Sequence, residues 1–426
     1  MNRLYIIIPR LSFADIISKL AVFTFFVFIA FGNLFRFVNV SLFSDNVLAS
    51  EGTIYLICAV LFFFVEIKAA QKMLMAVLSI GVLFSCFYGS IYSGFELKAF
   101  IYALRLVCML WSGVLLGSLF FKKFQDDINA FLAFFLKAYL AALVLGLGIY
   151  FLFPSAGQFW EFLSENNIVF HGDPHSSRFV SVYFDPNFYA AIACIPFLIS
   201  VTLFGSTRSM KYLLYAGLFG FSILLTWSRS GFATFLLVLA IYLVHKLNGL
   251  LRGYFRRLSF FLTFVLLLSI PIIIYFNNSA FEFFTDRVIN ILEDGSAFAR
   301  WETFKDALSV IQEYPCWGVG YNYLACKEVR VDSSILLLLA SFGIIPFIAI
   351  FGSLAFFLVR GLQKSFCMAS GPLASAYRMF CGYLAVIVFF SSFFNNLLFY
   401  QFWLIPVLVL FTYFSLAMDC QNQNEV

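Results

Sequence analysis

The sequence predicts an all-α polytopic membrane protein, with about 12 transmembrane helices and one large outer loop that contains a short helix. Three observations carry this expectation. Hydrophobic residues make up 63% of the 426 and charged residues only 12%, about half the charged share of an ordinary soluble domain. The apolar residues come in runs of about 20, the length that crosses a bilayer as a helix. Polar residues gather in two interruptions, 154–181 and 277–332. The second is far longer than a connecting loop usually is. A single membrane domain over 1–426 is expected, with no separate soluble module.

Each element has its own justification. Arg3 and Arg10 precede an apolar stretch that lacks a small-residue cleavage site, so it reads as a retained first span, 16–37. Span two is expected at 48–65 between Glu51 and Glu66, span three at 73–92, span four at 97–121 with Arg105 inside it, and span five at 128–153 with Lys137 inside it. The first outer loop comes after span five. Spans six (182–204), seven (212–227) and eight (231–244) come next. Only Ser228, Arg229 and Ser230 separate the last two, which predicts a tight hairpin. Span nine, 258–276, leads into the large loop. There Trp301, Phe304, Ala307, Leu308 and Ile311 recur at helical spacing over 298–314. Pro315 stops that run, and Gly318 and Gly320 bend the chain beyond it. Spans ten (333–358), eleven (377–394) and twelve (397–418) complete the chain.

Charge sets the expected orientation. With the N-terminus inside, more than half of the 27 Lys and Arg fall in inner segments, as at Lys68 and Lys72, Lys122 and Lys123, or Arg256 and Arg257. Short outer loops hold almost none, and long loops weigh little in this rule. Both termini are therefore expected inside and both polar loops outside. In such a chain a net charge of +5 reports orientation and does not point to nucleic acid.

The nine Cys mostly lie in apolar spans without CxxC spacing and read as buried small hydrophobes. Cys316 and Cys326 share the large loop, where an oxidising compartment would permit a disulfide. The three His, at 171, 175 and 245, are too scattered to suggest a metal site.

Arg178, Asp185, Asn187, Arg229, Arg300, Arg330 and Asp332 come from three regions of the chain, yet all fall at or near the outer face in this topology. Arginines on the face that orientation disfavours suggest an anionic ligand, because a guanidinium stays charged and matches phosphate oxygens at two points. Each residue also has a plainer explanation. Arg229 stands beside the N-terminus of span eight, either as a phosphate clamp or as an arginine reaching for the interface. Arg300 opens the loop helix, as a diphosphate contact or as one half of a surface ion pair. Asp332 is a proton acceptor or the N-cap of span ten. Asp185 before Pro186 is a helix-opening cap, or with Asn187 a pair of groups that bind a ligand. Arg105 and Lys137 are costly inside a membrane and call for a cavity or a partner, such as Glu96 or Asp185.

The order of these stretches resembles the O-antigen ligase/polymerase superfamily. The resemblance rests on Phe184-Asp185-Pro186-Asn187, on Trp227-Ser228-Arg229-Ser230-Gly231, on Arg300 to Leu308, on Tyr314-Pro315-Cys316-Trp317-Gly318-Val319-Gly320, and on Asp332-Ser333-Ser334 with Gly343. It implies a membrane-embedded glycosyltransferase at the periplasmic face of a bacterial inner membrane, which uses a polyprenyl-diphosphate-linked donor and needs no metal. Arg229, Arg300 and Asp332 would carry the catalysis, and Arg178, Asp185, Asn187, Arg330 and Arg105 would bind substrate. A separate chain-length regulator would be a partner. In the ligase branch a His stands eleven residues before the Gly. Asp332 stands there in this chain, which leans the expectation towards an O-antigen polymerase, with the ligase as the alternative. A repeat-unit flippase is the alternative of another class. It should show repeated halves with paired interruptions at mid-membrane, and the sequence has neither. The orientation is testable. A phosphatase reporter fused within 300–320 should be active and one fused after Lys364 inactive; the opposite pattern would invert the topology.

Overall fold

A computed structural model describes residues 13–34, 52–125, 127–153, 178–250, 295–321, 323–326, 331–367 and 371–424. Span nine, most of the first outer loop, the start of the large loop, His171, His175 and Arg330 lie outside these. Thirteen principal helices occur among the described residues: α1 (Phe13–Phe31), α2 (Gly52–Phe64), α3 (Ala69–Ser93), α4 (Leu97–Phe124), α5 (Ile128–Leu152), α6 (Pro186–Thr207), α7 (Met210–Leu224), α8 (Arg229–Leu250), α9 (Gly295–Glu313), α10 (Ser334–Phe342), α11 (Ile344–Cys367), α12 (Pro372–Val386) and α13 (Gln401–Asn424). Eight are long and apolar enough to cross a membrane, while α2 and α7 are shorter apolar helices. The all-α polytopic class expected from composition is the class observed.

The bundle is built around α6 and α13. In their apolar windows 78% and 83% of residues are buried, against 17% for 229–246 in α8. Van der Waals packing and interhelical hydrogen bonds, rather than expulsion of water, must hold such helices together in lipid. Helix α4 meets α13 through Gly113 and Gly117, spaced as GxxxG, whose missing side chains admit Leu408 and Thr412. Tyr413 lies flat on Phe131 with ring centroids 3.6 Å apart, and its hydroxyl donates to the Phe124 carbonyl at 2.9 Å. Trp403 Nε1 donates to the Tyr383 hydroxyl at 2.6 Å, which donates in turn to the Ala191 carbonyl at 3.1 Å and so links α13, α12 and α6.

Span ten is not one helix. Gly343 breaks it into α10 and α11, with φ at +74°. The broken ends are met by the Tyr314–Tyr321 loop. Val319 and Gly320 donate to the carbonyls of Ala340 and Ser341, each at 2.9 Å, and Ile344 donates to the Pro315 carbonyl at 2.8 Å. The approach is so close that a Cβ at Gly343 would strike the backbone of Cys316 and Trp317. A Cβ at Gly320 would come within 2.9 Å of the Ser85 carbonyl. Cys316, one half of the possible disulfide, is an exposed free thiol. Two further expectations need adjusting. The predicted hairpin tip belongs to α8, because the turn between α7 and α8 is Leu225–Ser228 and Arg229 is already helical. Residues 179–181 are buried packing elements rather than the end of an open loop. The loop helix expected at 298–314 is observed as α9.

Gly343→Ala should therefore lower the apparent melting temperature of the detergent-solubilised protein by several degrees. A side chain there is strained in φ and overlaps backbone, at a cost of about 1–3 kcal/mol. Gly352→Ala, in open space on α11, is the control that should leave it unchanged.

Candidate functional site

Three helices start close together, and each start is built from a different part of the chain. The first is α6. Residues 178–184 enter the bundle in an irregular path, with Ser181 and Phe184 in the left-handed region at φ 53° and 61°. Non-glycine residues hold that conformation only where surroundings enforce it, and here they do. Ser181 Oγ donates to the Ala142 carbonyl at 3.1 Å, and the Tyr183 hydroxyl donates to the Ile29 carbonyl at 2.9 Å. The Tyr183 carbonyl accepts from both Asn33 Nδ2 and the Tyr400 hydroxyl, each at 2.8 Å. Asp185 then caps α6, with Oδ1 accepting from the amides of Asn187 at 2.7 Å and Phe188 at 2.9 Å, while Pro186 fills the first helical position.

The second start is α8. Arg178 Nε donates to the Thr226 carbonyl at 2.9 Å and the Phe179 amide to the Leu225 carbonyl at 3.0 Å, which clips the entry to α6 onto the turn before α8. Trp227 takes a left-handed φ of 49° within that turn. Ser228 Oγ caps α8 by accepting from the Gly231 amide at 2.9 Å, and it donates to Asn187 Oδ1 at 2.5 Å. Arg229 thus sits half-buried in the first turn of α8, where the orphan amides and the helix dipole favour anions.

The third start is α10. The cap is Ser333, whose Oγ accepts from the Leu336 amide at 3.4 Å and donates to the Ser392 carbonyl at 3.1 Å. The sequence pointed to Asp332 as one candidate for that cap. Ser333 fills the position instead, and Asp332 stands one residue outside it with an exposed side chain. Ser334 is held from the other side. Its amide and hydroxyl donate to the Asn395 carbonyl at 3.3 and 2.9 Å, and its Oγ accepts from the Leu398 amide at 3.1 Å. Asn395 Nδ2 reaches Ser230 Oγ at 3.4 Å, which joins this start to that of α8.

Helix α9 packs along α10, with Ala307 and Phe304 against Leu336, Leu337 and Ala340. The bond from Ile344 to Pro315 brings the C-terminal ends of the two helices together. Arg300 lies one turn before Phe304, so its backbone is at the end of α9 that corresponds to the start of α10. Arg105 finds a partner the sequence did not suggest. Its Nη2 donates to Gln401 Oε1 at 2.7 Å, beside Tyr400 and so near the Tyr183 carbonyl.

Of the residues the sequence singled out, Arg178, Asp185, Asn187 and Arg229 thus share one continuous hydrogen-bonded corner, and Asp332 adjoins it through Ser333 and Ser334. Sequence reasoning missed Thr226, Asn395, Asn396 and Gln401. The signal was present in the paired Ser391-Ser392 and Asn395-Asn396, which interrupt an otherwise apolar run between spans eleven and twelve. No three His, Cys, Asp or Glu side chains come together among the described residues. The corner therefore offers guanidinium groups, amides, hydroxyls and separated carboxylates. Such a set can hold an anion and orient a hydroxyl beside it.

Residues 214–351, roughly a third of the chain, match the family model described as O-antigen ligase. The match supports the O-antigen ligase/polymerase superfamily for this chain and does not support the flippase alternative. No curated protein matches the chain. The capping geometry separates two roles for Asp185. Asp185→Ala should cost about 1 kcal/mol of stability through the lost cap, and Asp185→Asn, which still caps, much less. Equal destabilisation by both, in thermal unfolding, would contradict a capping role.

Proposed function

We propose, from the superfamily this match supports, that the protein is an O-antigen or surface-polysaccharide polymerase of the bacterial inner membrane, with its site on the periplasmic side. It joins oligosaccharide repeats carried on polyprenyl diphosphate. The observation that carries this reading is the shared corner of Arg178, Arg229, Asn187 and the start of α10, reached from three separate parts of the chain.

In this reading the donor's diphosphate lies against Arg229 and the first turn of α8, with Arg178 and Arg300 beside it. Arg105 adds positive charge, and Arg330 would bind substrate as the resemblance implies. A hydroxyl on the non-reducing end of the acceptor glycan attacks the donor's anomeric carbon. The bond from that carbon to the diphosphate oxygen breaks, and polyprenyl diphosphate leaves with the electron pair. Fixed guanidinium groups stabilise the charge that grows on the leaving group, the work a divalent metal does in other transferases. Asp332, exposed and clear of the cap, takes the hydroxyl proton or holds that hydroxyl in line. Asp185 and Asn187 face acceptor hydroxyls. Direct displacement inverts the anomeric configuration.

The ligase, which moves a finished glycan onto lipid A-core, is the second reading, and the description of the matching family model favours it. Asp332 in place of the ligase branch's His favours the polymerase. A deletion strain decides between them: loss of a polymerase leaves one repeat on the core, and loss of a ligase leaves none. In proteoliposomes supplied with lipid-linked repeat, Arg229→Ala, Arg300→Ala and Asp332→Ala should each lower elongation by about 100-fold or more. Full activity in the Arg229 and Arg300 variants would end the diphosphate assignment.

A further inference from the structure

The corner between α12 and α13 has no part in the reaction proposed above, yet it touches two of the three helix starts. Helix α12 ends in a π-helical turn, Ile387–Ser391, of the kind that often marks functional positions. The Ser392 hydroxyl donates to the Ile387 carbonyl at 2.8 Å and the Asn395 amide to the Ser391 carbonyl at 3.0 Å, so the turn is closed on itself. Asn395 then faces both ways. Its carbonyl accepts the amide and hydroxyl of Ser334, two residues beyond Asp332. Its side-chain amide donates to Ser230 Oγ, the residue next to Arg229. Asn395 itself is 5% exposed.

We infer that Asn395 is a positioning residue, which sets the separation of Arg229 from Asp332 by holding Ser230 with its side chain and Ser334 with its carbonyl. The inference rests on the polymerase reading of the same site. Two features distinguish positioning from plain support of the fold. Helices α8 and α10 already have caps of their own, Ser228 and Ser333, so the Asn395 side chain is not required to start either. Its bond to Ser230 is long, 3.4 Å, and bonds of that length contribute little to stability. A small change in registry between an anion clamp and a proton acceptor is nevertheless felt strongly in rate.

The test uses the full-length protein in proteoliposomes, with lipid-linked repeat purified from the source cells as substrate. Asn395→Ala and Ser230→Ala should each lower turnover about tenfold, with apparent KM within about twofold and the melting temperature unchanged. Ser230→Ala also removes the contacts of its hydroxyl with Ser228 Oγ at 3.4 Å and Asn187 Oδ1 at 3.5 Å, so the double variant should be no slower than Ser230→Ala alone. Ser230→Thr, which keeps a hydroxyl, should recover most of the rate. Unchanged turnover, additive losses, or a KM that rises as far as turnover falls would overturn the inference. If Asn395→Ala does not fold, Asn395→Leu, similar in size and without the amide donor, takes its place with the same expected loss. A wild-type protein inert on its own lipid-linked repeat sinks the polymerase reading and takes this inference with it. An active wild type with indifferent variants sinks the inference only.

Discussion

Backbone amides and carbonyls inside a bilayer have no water to bond, so any departure from helix must be answered by the protein itself. This chain departs from helix in four places that matter: before α6, before α8, at Gly343, and between α12 and α13. Each departure is answered by another. The entry to α6 bonds the turn before α8, the Tyr314–Tyr321 loop bonds the ends of α10 and α11, and the Asn395 corner bonds the starts of α10 and α8. The irregular segments are mutually dependent, and they are the segments that carry the polar side chains.

That dependence explains how a mostly hydrocarbon protein holds charged groups in place. The rigid helices α6 and α13 supply a packed centre, and Ser, Thr, Asn and Tyr side chains tie the helix starts to it. Caps do much of this. Asp185, Ser228 and Ser333 each satisfy orphan amides at a helix N-terminus, which leaves three helix dipoles with their positive ends near one another. Arg178 and Arg229 add full charge to the same region. Such an arrangement attracts anions, the property the proposed diphosphate-bearing donor would use.

Much of this was legible in the sequence. Composition and run length identify the class, the periodicity of Trp301 to Ile311 identifies α9, and Asp185-Pro186 identifies a capped helix start. The failures have physical causes. Gly343 disappears into span ten because Leu336 to Leu339 and Ile344-Ile345 flank it with unbroken hydropathy, and hydropathy does not register a positive φ. Asp332 and Ser333 are both good caps at adjacent positions, so residue type alone cannot choose between them. Arg105 finds Gln401, nearly 300 positions away in the chain, a pairing no local pattern encodes. Asn395 escapes notice because its partners, Ser230 and Ser334, become neighbours only in the folded bundle.

The central claim is that arginines from distant segments gather at one end of the bundle to hold a lipid diphosphate. An electron cryo-microscopy map of the protein in nanodiscs, loaded with sugar-free polyprenyl diphosphate, tests it most directly. The account predicts diphosphate density against Arg229 and the first turn of α8, within reach of Arg178, with the lipid tail leaving between the spans. Diphosphate density at the opposite end of the bundle, beside Lys68 and Lys72, would contradict it.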